Sequence, residues 1–384
     1  MYIGGSTDMF KPFGKNIFSY DVNSLYAYIM NKFDMPVGNI KFFEGNILKI
    51  NPKAFGFFEC KITAPKNIKH PILQIKFNTG NGLRTISPVG TWIGTYFSEE
   101  IYNAMKFGYK FEILRGYTFD KKNIFCEYIT ELYQIKKASN KDEPLYLISK
   151  LLMNSLYGRF GMNEILINNS IIDEIKLQYY NDNFSISEII PLKNNKLLIS
   201  YFDINELENI MLTYKSYSNI SIGIASAISA YARIHMSQFK NNSKYNLFYT
   251  DTDSIFIDKP LSANLISKDL GKMKLENNFI EATFISPKVY GGLYNDNNQL
   301  KSITKVKGYK NKIDYYDLKS LLNKDNSLSL NQEKWFKNLS EGNISIKDQL
   351  YTLIPTENKR QLIYNNNKLI ETKPFIIKDD KIQE

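Results

Sequence analysis

The chain has 384 residues, 43% hydrophobic and 23% charged, the composition of a soluble globular protein with one large core or two to three lobes. Its formal net charge of +10, with basic residues recurring along the whole length, favours a polyanionic partner, nucleic acid ahead of a membrane surface. Cys60 and Cys126 form no CxxC and the only histidines are His70 and His235, too few for a disulfide scaffold, a zinc site or a Ser-His-Asp triad, and no apolar run approaches the ~20 residues of a membrane span.

Met1 is followed by YIGGSTDMF, which is neither a signal peptide nor an Arg-rich presequence. NIFSYDV (16–22) reads as a buried strand and SLYAYIMNKF (24–33) as a helix that MPVG (35–38) stops. From 39 to 118 the pattern is strand-rich, with FGFFECKITAP, PILQIKF and LRTISPVGTWIGTYF as candidate strands. NTGNG (78–82) lacks a following Lys-Ser/Thr and helix, so it is a hairpin turn rather than a phosphate loop. A short helix (98–108) and a strand (109–119) follow, then helices over 121–139 and 143–160, with Pro144 tolerated in a first turn. Residues 162–218 are Asn- and Ile-rich and irregular, with short strands; 219–240 is a long helix with small residues on one face. The DTDS strand pair (245–258), segments 267–279 and 281–294, and a basic stretch (301–312) come next. The tail is a hairpin (361–377) turned by Asn365–Asn367.

Asp21, Asp251 and Asp253 each end an aromatic-rich strand-like run. Side chains at i and i+2 of a strand share a face, so Asp251 and Asp253 are expected to point the same way, with Asp21 arriving from a neighbouring strand. An Asp-Thr-Asp turn often only bonds its own backbone, but buried carboxylates are costly unless paired or metal-bound. Mg²⁺ takes one or two carboxylates plus substrate phosphates, and two such ions clamp the oxygens of an in-line phosphoryl displacement. Lys150, Asn154, Tyr157 and Gly158 share one helical face: a point charge for a polyphosphate, a flat ring for a base or sugar, and a place for close backbone approach. The bland alternative is a surface helix with an ordinary lysine.

SYDVNSLYAYIM resembles motif A of the family-B DNA polymerases (DxxSLYP), with Ala27 for the usual proline. KLLMNSLYGRFG looks like motif B (KxxxNSxYG) and YTDTDS like motif C, in the family's order and spacing. SPKVY (286–290) resembles the Lys-x-Tyr motif at the primer terminus, KVKG (305–308) the basic segment before the thumb, and YIGG (2–5) the YxGG motif between exonuclease and polymerase domains. The resemblance implies an α+β right-hand polymerase with an antiparallel palm sheet carrying helices on one face, two-helix fingers, a small thumb and two insertions. The expected boundaries are palm 1–32 and 219–304, an insertion 33–120 for a terminal protein, fingers 121–161, a DNA-encircling insertion 162–218 and thumb 305–384. The long strand-rich region between motifs A and B is like that of the protein-primed members. The AU-rich codons implied by abundant Asn, Ile, Lys, Tyr and Phe suit a linear mitochondrial plasmid.

Residue by residue, the resemblance makes Asp21 and Asp253 the principal ligands of two Mg²⁺ ions, with Mn²⁺ able to substitute and the Val22 carbonyl assisting; Asp251 is a supporting catalytic carboxylate. Tyr26 would exclude a 2′-hydroxyl, Lys136 and Lys150 would hold the triphosphate, and Asn154 and Tyr157 would line the nascent pair. Tyr2, Gly4, Gly5, Ser24, Gly158 and Phe160 would meet DNA, Lys288 and Tyr290 the primer end, and Lys305 and Lys307 the duplex. Implied partners are primer-template DNA, dNTPs and a terminal protein as primer, with no membrane. Starting at YIGG, the chain is expected to be a polymerase domain without the exonuclease. The rivals are an inactive DNA-binding remnant, against which the intact Asp21, Tyr26, Lys150 and Asp253 count, and an RNA-dependent polymerase, against which Tyr26 and the KLLMNSLYG helix count.

Overall fold

The computed structural model describes residues 2–80, 82–162, 167–203, 220–378 and 381–383. Asn81 of the expected 78–82 turn and residues 163–166 and 204–218 of the second insertion lie outside them. The chain forms two compact units, one of Met1–Gly158, Ile222–Leu328 and Leu353–Glu384, the other of Arg159–Ser221 and Ser329–Thr352.

The first unit is built on an antiparallel seven-stranded sheet in the order Thr7–Met9, Leu247–Asp251, Ser254–Ile257, Phe13–Val22, Met273–Ser286, Val289–Asp296, Gln299–Val306. Its aromatic content explains its cohesion. Phe256 meets the rings of Phe284 and Tyr290 at 5.2 and 5.1 Å between centroids, and Tyr249 stacks on Phe284 at 5.3 Å. Segments 267–279 and 281–294, separate in the sequence pattern, share one long strand, Met273–Ser286. Register shifts at Leu275/Asn277 and Phe279/Glu281 absorb the break in alternation that made two segments look distinct.

Around this sheet, the helix Ile222–Lys240 buries Ala225, Ser226, Ala227, Ser229, Ala230 and Ala232. Small side chains let it pack closely against the helices Leu25–Lys32 and Ser98–Lys106 and the strand Met35–Glu44. His235 packs between Tyr28 and Phe239, as a histidine on such a face should. Among the described residues no helix is long and apolar enough to cross a membrane.

A second sheet of six strands runs Lys381–Gln383, Ile376–Lys378, Val89–Phe97, Gly56–Thr63, Lys110–Lys122, Met35–Glu44. Its core holds Trp92, whose indole N–H donates to the Tyr96 hydroxyl at 3.0 Å. Residues 305–384 therefore do not form a single thumb. Phe375 and Ile377 are buried in the core of the 33–120 insertion, and the Ile376–Lys378 strand pairs parallel with Val89–Gly90. Gly90 is required there, because its φ is +100° and a Cβ would lie 2.0 Å from the Ile377 carbonyl oxygen. The hairpin Gln361–Asn365/Lys368–Lys373 adds Leu362, Tyr364 and Leu369 to the palm core, so a β-hairpin and not only helices covers that sheet. Asn366 and Asn367 turn it in the left-handed region, as the Asn run in the sequence implies.

The second unit is smaller. Strands Phe184–Leu192, Lys196–Asp203 and Asn168–Asp173 form a sheet beside the helix Leu177–Asn183 around Ile172, Leu197 and Ile199. A two-stranded ribbon, Leu328–Asn338 and Asn343–Leu353, belongs largely to this unit rather than to a separate thumb.

Phe256 is 3% exposed at the centre of the palm aromatics. Phe256→Ala should lower unfolding free energy by about 3–5 kcal/mol in urea titrations. A loss below about 1 kcal/mol would mean the surrounding rings collapse into the space.

Candidate active site

Backbone pairing sets the acidic residues. Asp21, near the end of the Phe13–Val22 strand, is in register with Ser254, and the Val22 N–H donates to the Asp253 carbonyl at 2.9 Å. Thr252 and Asp253 form the two-residue turn between paired Asp251 and Ser254, with Thr252 at φ 57°. This corrects the expectation that Asp251 and Asp253 share a strand face: the period of two does not run through a turn. Asp253 lines a cavity of about 770 Å³ with Asp21 and Val22. Asp251 instead accepts from Lys288 Nζ at 2.8 Å on both carboxylate oxygens and from Thr7 Oγ1 at 2.8 Å.

Burial, and then the Asp253 and Glu276 charges, push the Asp21 carboxyl up to about 7 against the pull of Lys274. Asp253 is pushed up to about 6, chiefly by burial, with Asp251 adding to the rise. Neither carboxylate makes an ion pair with a described residue, since Lys274 is taken by Glu276 at 2.6 Å and Lys288 by Asp251. Among the described residues no three His, Cys, Asp or Glu side chains gather as a ready-made metal cluster. Two half-buried, mutually repelling oxygen donors with a nearby carbonyl nevertheless fit Mg²⁺, which completes its shell with water and substrate oxygens.

The same cavity is lined by Tyr26, Lys136, Lys150, Asn154 and Tyr157. Tyr26 stacks on Tyr157 with centroids 4.2 Å apart and planes 9° from parallel, joining the Leu25–Lys32 helix to the Pro144–Phe160 helix. Ser24 caps the first helix in the left-handed region, and its hydroxyl accepts from Lys136 Nζ at 3.1 Å. Burial first, then the Lys150 charge, lowers the Lys136 pKa. Both lysines line the cavity, and the charge of one bears on the other.

Sequence reasoning missed Lys274 and Glu276, which line this cavity because Lys274 is in register with Asp21. The register shift at Leu275/Asn277 falls between their neighbours, so alternation in the sequence does not reveal them and only the pairing places them beside Asp21. It also missed Arg233, a buried residue gripping Glu100 at 2.7 and 2.8 Å and donating to the carbonyls of Ile3 and Gly4.

The expected DNA-facing residues are dispersed. Burial, then the neighbouring Tyr157, raises the Tyr2 phenol. A Cβ at Gly4 or Gly158 would meet open space. Tyr290 joins the palm core cluster, in register with exposed Lys305, and Lys307 is also exposed. Phe160 lies in the second unit, where its carbonyl accepts from the Ser221 N–H at 3.1 Å.

Residues 1–246 match the family "DNA polymerase type B, organellar and viral". The chain belongs to that family. It is 45% identical over 362 residues to a probable DNA polymerase of Neurospora intermedia, covering 90% of this chain and 36% of the relative. It is 42% identical over 384 residues to a probable DNA polymerase of Ascobolus immersus, covering 99% of this chain and 31% of the relative. The chain thus spans about a third of the length of these curated relatives. In fold it is similar to phi29 DNA polymerase complexed with primer-template DNA and incoming nucleotide, with a TM-score of 0.66 at 20% identity, covering 91% of this chain and 61% of that one. The α+β polymerase fold expected from the sequence is the fold observed.

Gly5 lies against the acidic turn, where a Cβ would fall 2.6 Å from Thr252 Cγ2. Gly5→Ala should displace the turn and, if the turn belongs to a primer-extending centre, slow primer extension roughly ten- to a hundredfold. Thr252→Gly, which removes the colliding atoms, should restore much of the rate; failure of that rescue would dissociate Gly5 from the turn.

Proposed function

We propose that this chain carries the nucleotidyl-transfer centre of a template-directed DNA polymerase acting on dNTPs. It would extend primer-template DNA and start from a terminal protein on a linear mitochondrial plasmid or similar element. The observation that carries the reading is one cavity lined by Asp21 and Asp253, neither ion-paired among the described residues, together with Lys136, Lys150 and the stacked Tyr26–Tyr157 pair. Family membership supports the same chemistry. The strand-rich region between motifs A and B and the coding bias support protein priming and a mitochondrial element.

Bound at Asp21, Asp253 and the Val22 carbonyl, two Mg²⁺ ions would supply Lewis-acid charge to the reacting phosphate. The protein's own groups do the rest. Lys136 and Lys150 bind the triphosphate, whose charge relieves their mutual repulsion. Tyr26, braced by Tyr157, forms a wall under the sugar and excludes a 2′-hydroxyl by contact. Lys288, fixed by Asp251, presents its ammonium to the primer backbone. The net charge of +10 without a base-reading motif supports sequence-tolerant, salt-sensitive DNA binding.

Asp253→Asn keeps the shape and removes the charge. Incorporation should fall below roughly a few per cent of the parent rate in primer extension, while gel-shift affinity for primer-template persists. Extension near the parent rate would remove Asp253 from the centre. Tyr26→Val should raise rNTP use relative to dNTP in competition kinetics, by on the order of tenfold or more. Unchanged discrimination would take Tyr26 out of the sugar gate.

A further inference from the structure

A second cavity, of about 330 Å³, lies in the first unit and shares no lining residue with the first. Its walls come from five places in the chain. Lys32, Phe33 and Asp34 end the motif A helix, Glu99 and Lys106 come from the Ser98–Lys106 helix, Lys121 from the Lys110–Lys122 strand and Tyr231 from the Ile222–Lys240 helix. Phe55 contributes from the loop before the Gly56–Thr63 strand.

Two features make this more than a dent. The first is an aromatic floor. Phe33 stacks on Tyr231 with centroids 4.5 Å apart at 26°, Phe55 joins them in the lining, and the buried Phe97 behind it meets Tyr231 at 5.2 Å and Phe55 at 5.1 Å. The second is an unpaired rim. Among the described residues, Lys32, Asp34, Glu99, Lys106 and Lys121 make no ion pair with one another or with any other side chain, although three cations and two anions surround one space. Lys121 instead hangs over the Phe55 ring at 5.8 Å. Glu99 is half-buried, and burial raises its carboxyl despite the nearby Lys121 and Lys106. Opposite charges that line one cavity without joining leave room for a ligand that bridges them.

The geometry points to a nucleoside monophosphate unit as the occupant: a flat base on the aromatic floor, one phosphate among Lys32, Lys106 and Lys121, and base amine or sugar hydroxyls donating to Glu99 and Asp34. The volume, at the lower end of the roughly 300–1,000 Å³ of small-molecule sites, suits one nucleotide. The excess of lysines over carboxylates selects an anionic ring compound, and bases stack on such rings without sequence preference. The unit can be a free nucleotide or a residue of single-stranded DNA. The inference does not rest on the polymerase assignment, because no residue of that centre takes part.

The test uses the full chain without divalent metal, with saturation-transfer NMR and equilibrium dialysis against dAMP, deoxyadenosine and the hexanucleotide dA₆. Binding of dAMP or of dA₆ should saturate and weaken roughly tenfold in the Lys106→Glu/Lys121→Glu double variant, and dAMP, where it binds, should lose comparably when the phosphate is absent. Glu99→Gln, nearly isosteric, should also weaken it, and thermal unfolding should show that these variants remain folded. Lys150→Ala should leave it within about twofold. If dA₆ shows the same lysine dependence and dAMP does not bind, the source is a DNA strand; if only dAMP binds, it is the free nucleotide. Either result supports the site. No saturable binding of either, binding insensitive to Lys106 and Lys121, or binding lost with Lys150→Ala would overturn it.

Discussion

The register that sets Ser254 opposite Asp21 brings two carboxylates into one cavity and keeps them there against their own repulsion. Both are pushed well above the usual carboxylate range, so the folded chain bears an electrostatic cost at this point. What holds them is backbone: the Val22 N–H on the Asp253 carbonyl, the Thr252 N–H on the Ser6 carbonyl, and the sheet on either side. Side chains could not do it, because the nearby cations are already engaged with Asp251 and Glu276. The two carboxylates are thus placed by backbone pairing, and a divalent ion would offset the repulsion that the fold imposes.

The surrounding structure braces that turn through the N-terminal segment. Ser6 and Thr7 touch Thr252 and Asp251, and Lys240, buried, donates to Ser6 Oγ at 2.7 Å and lies 3.8 Å from Asp8. Arg233 does the same two turns earlier on its helix, binding Glu100 and the carbonyls of Ile3 and Gly4. Buried cations of this kind are tolerated only with good partners, and removing one partner leaves an uncompensated charge. A helix rich in alanine can approach closely enough to deliver them. The small residues and the two buried cations of Ile222–Lys240 are therefore one device.

Much of this centre was legible in the sequence. Asp21, Lys150 and Asp253 stand in motifs whose order alone identifies the resemblance, and the Tyr26 and Tyr157 rings meet as two motifs in one cavity should. What failed was everything that depends on register or on long-range pairing. Asp251 and Asp253 looked like one strand face because the alternation of apolar and polar residues does not reveal that Thr252 adopts a left-handed turn. Lys274 and Glu276 looked like an ordinary charged strand until their partner strand was known. The tail looked like a thumb because Phe375 and Ile377 carry no mark of the distant insertion core they enter.

Sugar choice in such a centre depends on more than the presence of a tyrosine. An aromatic ring at the end of a short helix excludes a hydroxyl only if it cannot swing aside. Tyr26 follows Ser24, whose left-handed backbone is unusual for a residue with a side chain, and whose hydroxyl is occupied by Lys136. On the other face the ring lies flat against Tyr157, a residue of the lysine-bearing helix. Aromatic stacking of this kind is worth about 0.5–1.5 kcal/mol beyond the area it buries, enough to favour one ring position severalfold. Tyr26 is thus joined through Tyr157 to the helix that carries Lys150. On the proposed reading, a shift of the Pro144–Phe160 helix relative to Tyr26 would loosen the sugar wall and the triphosphate site together.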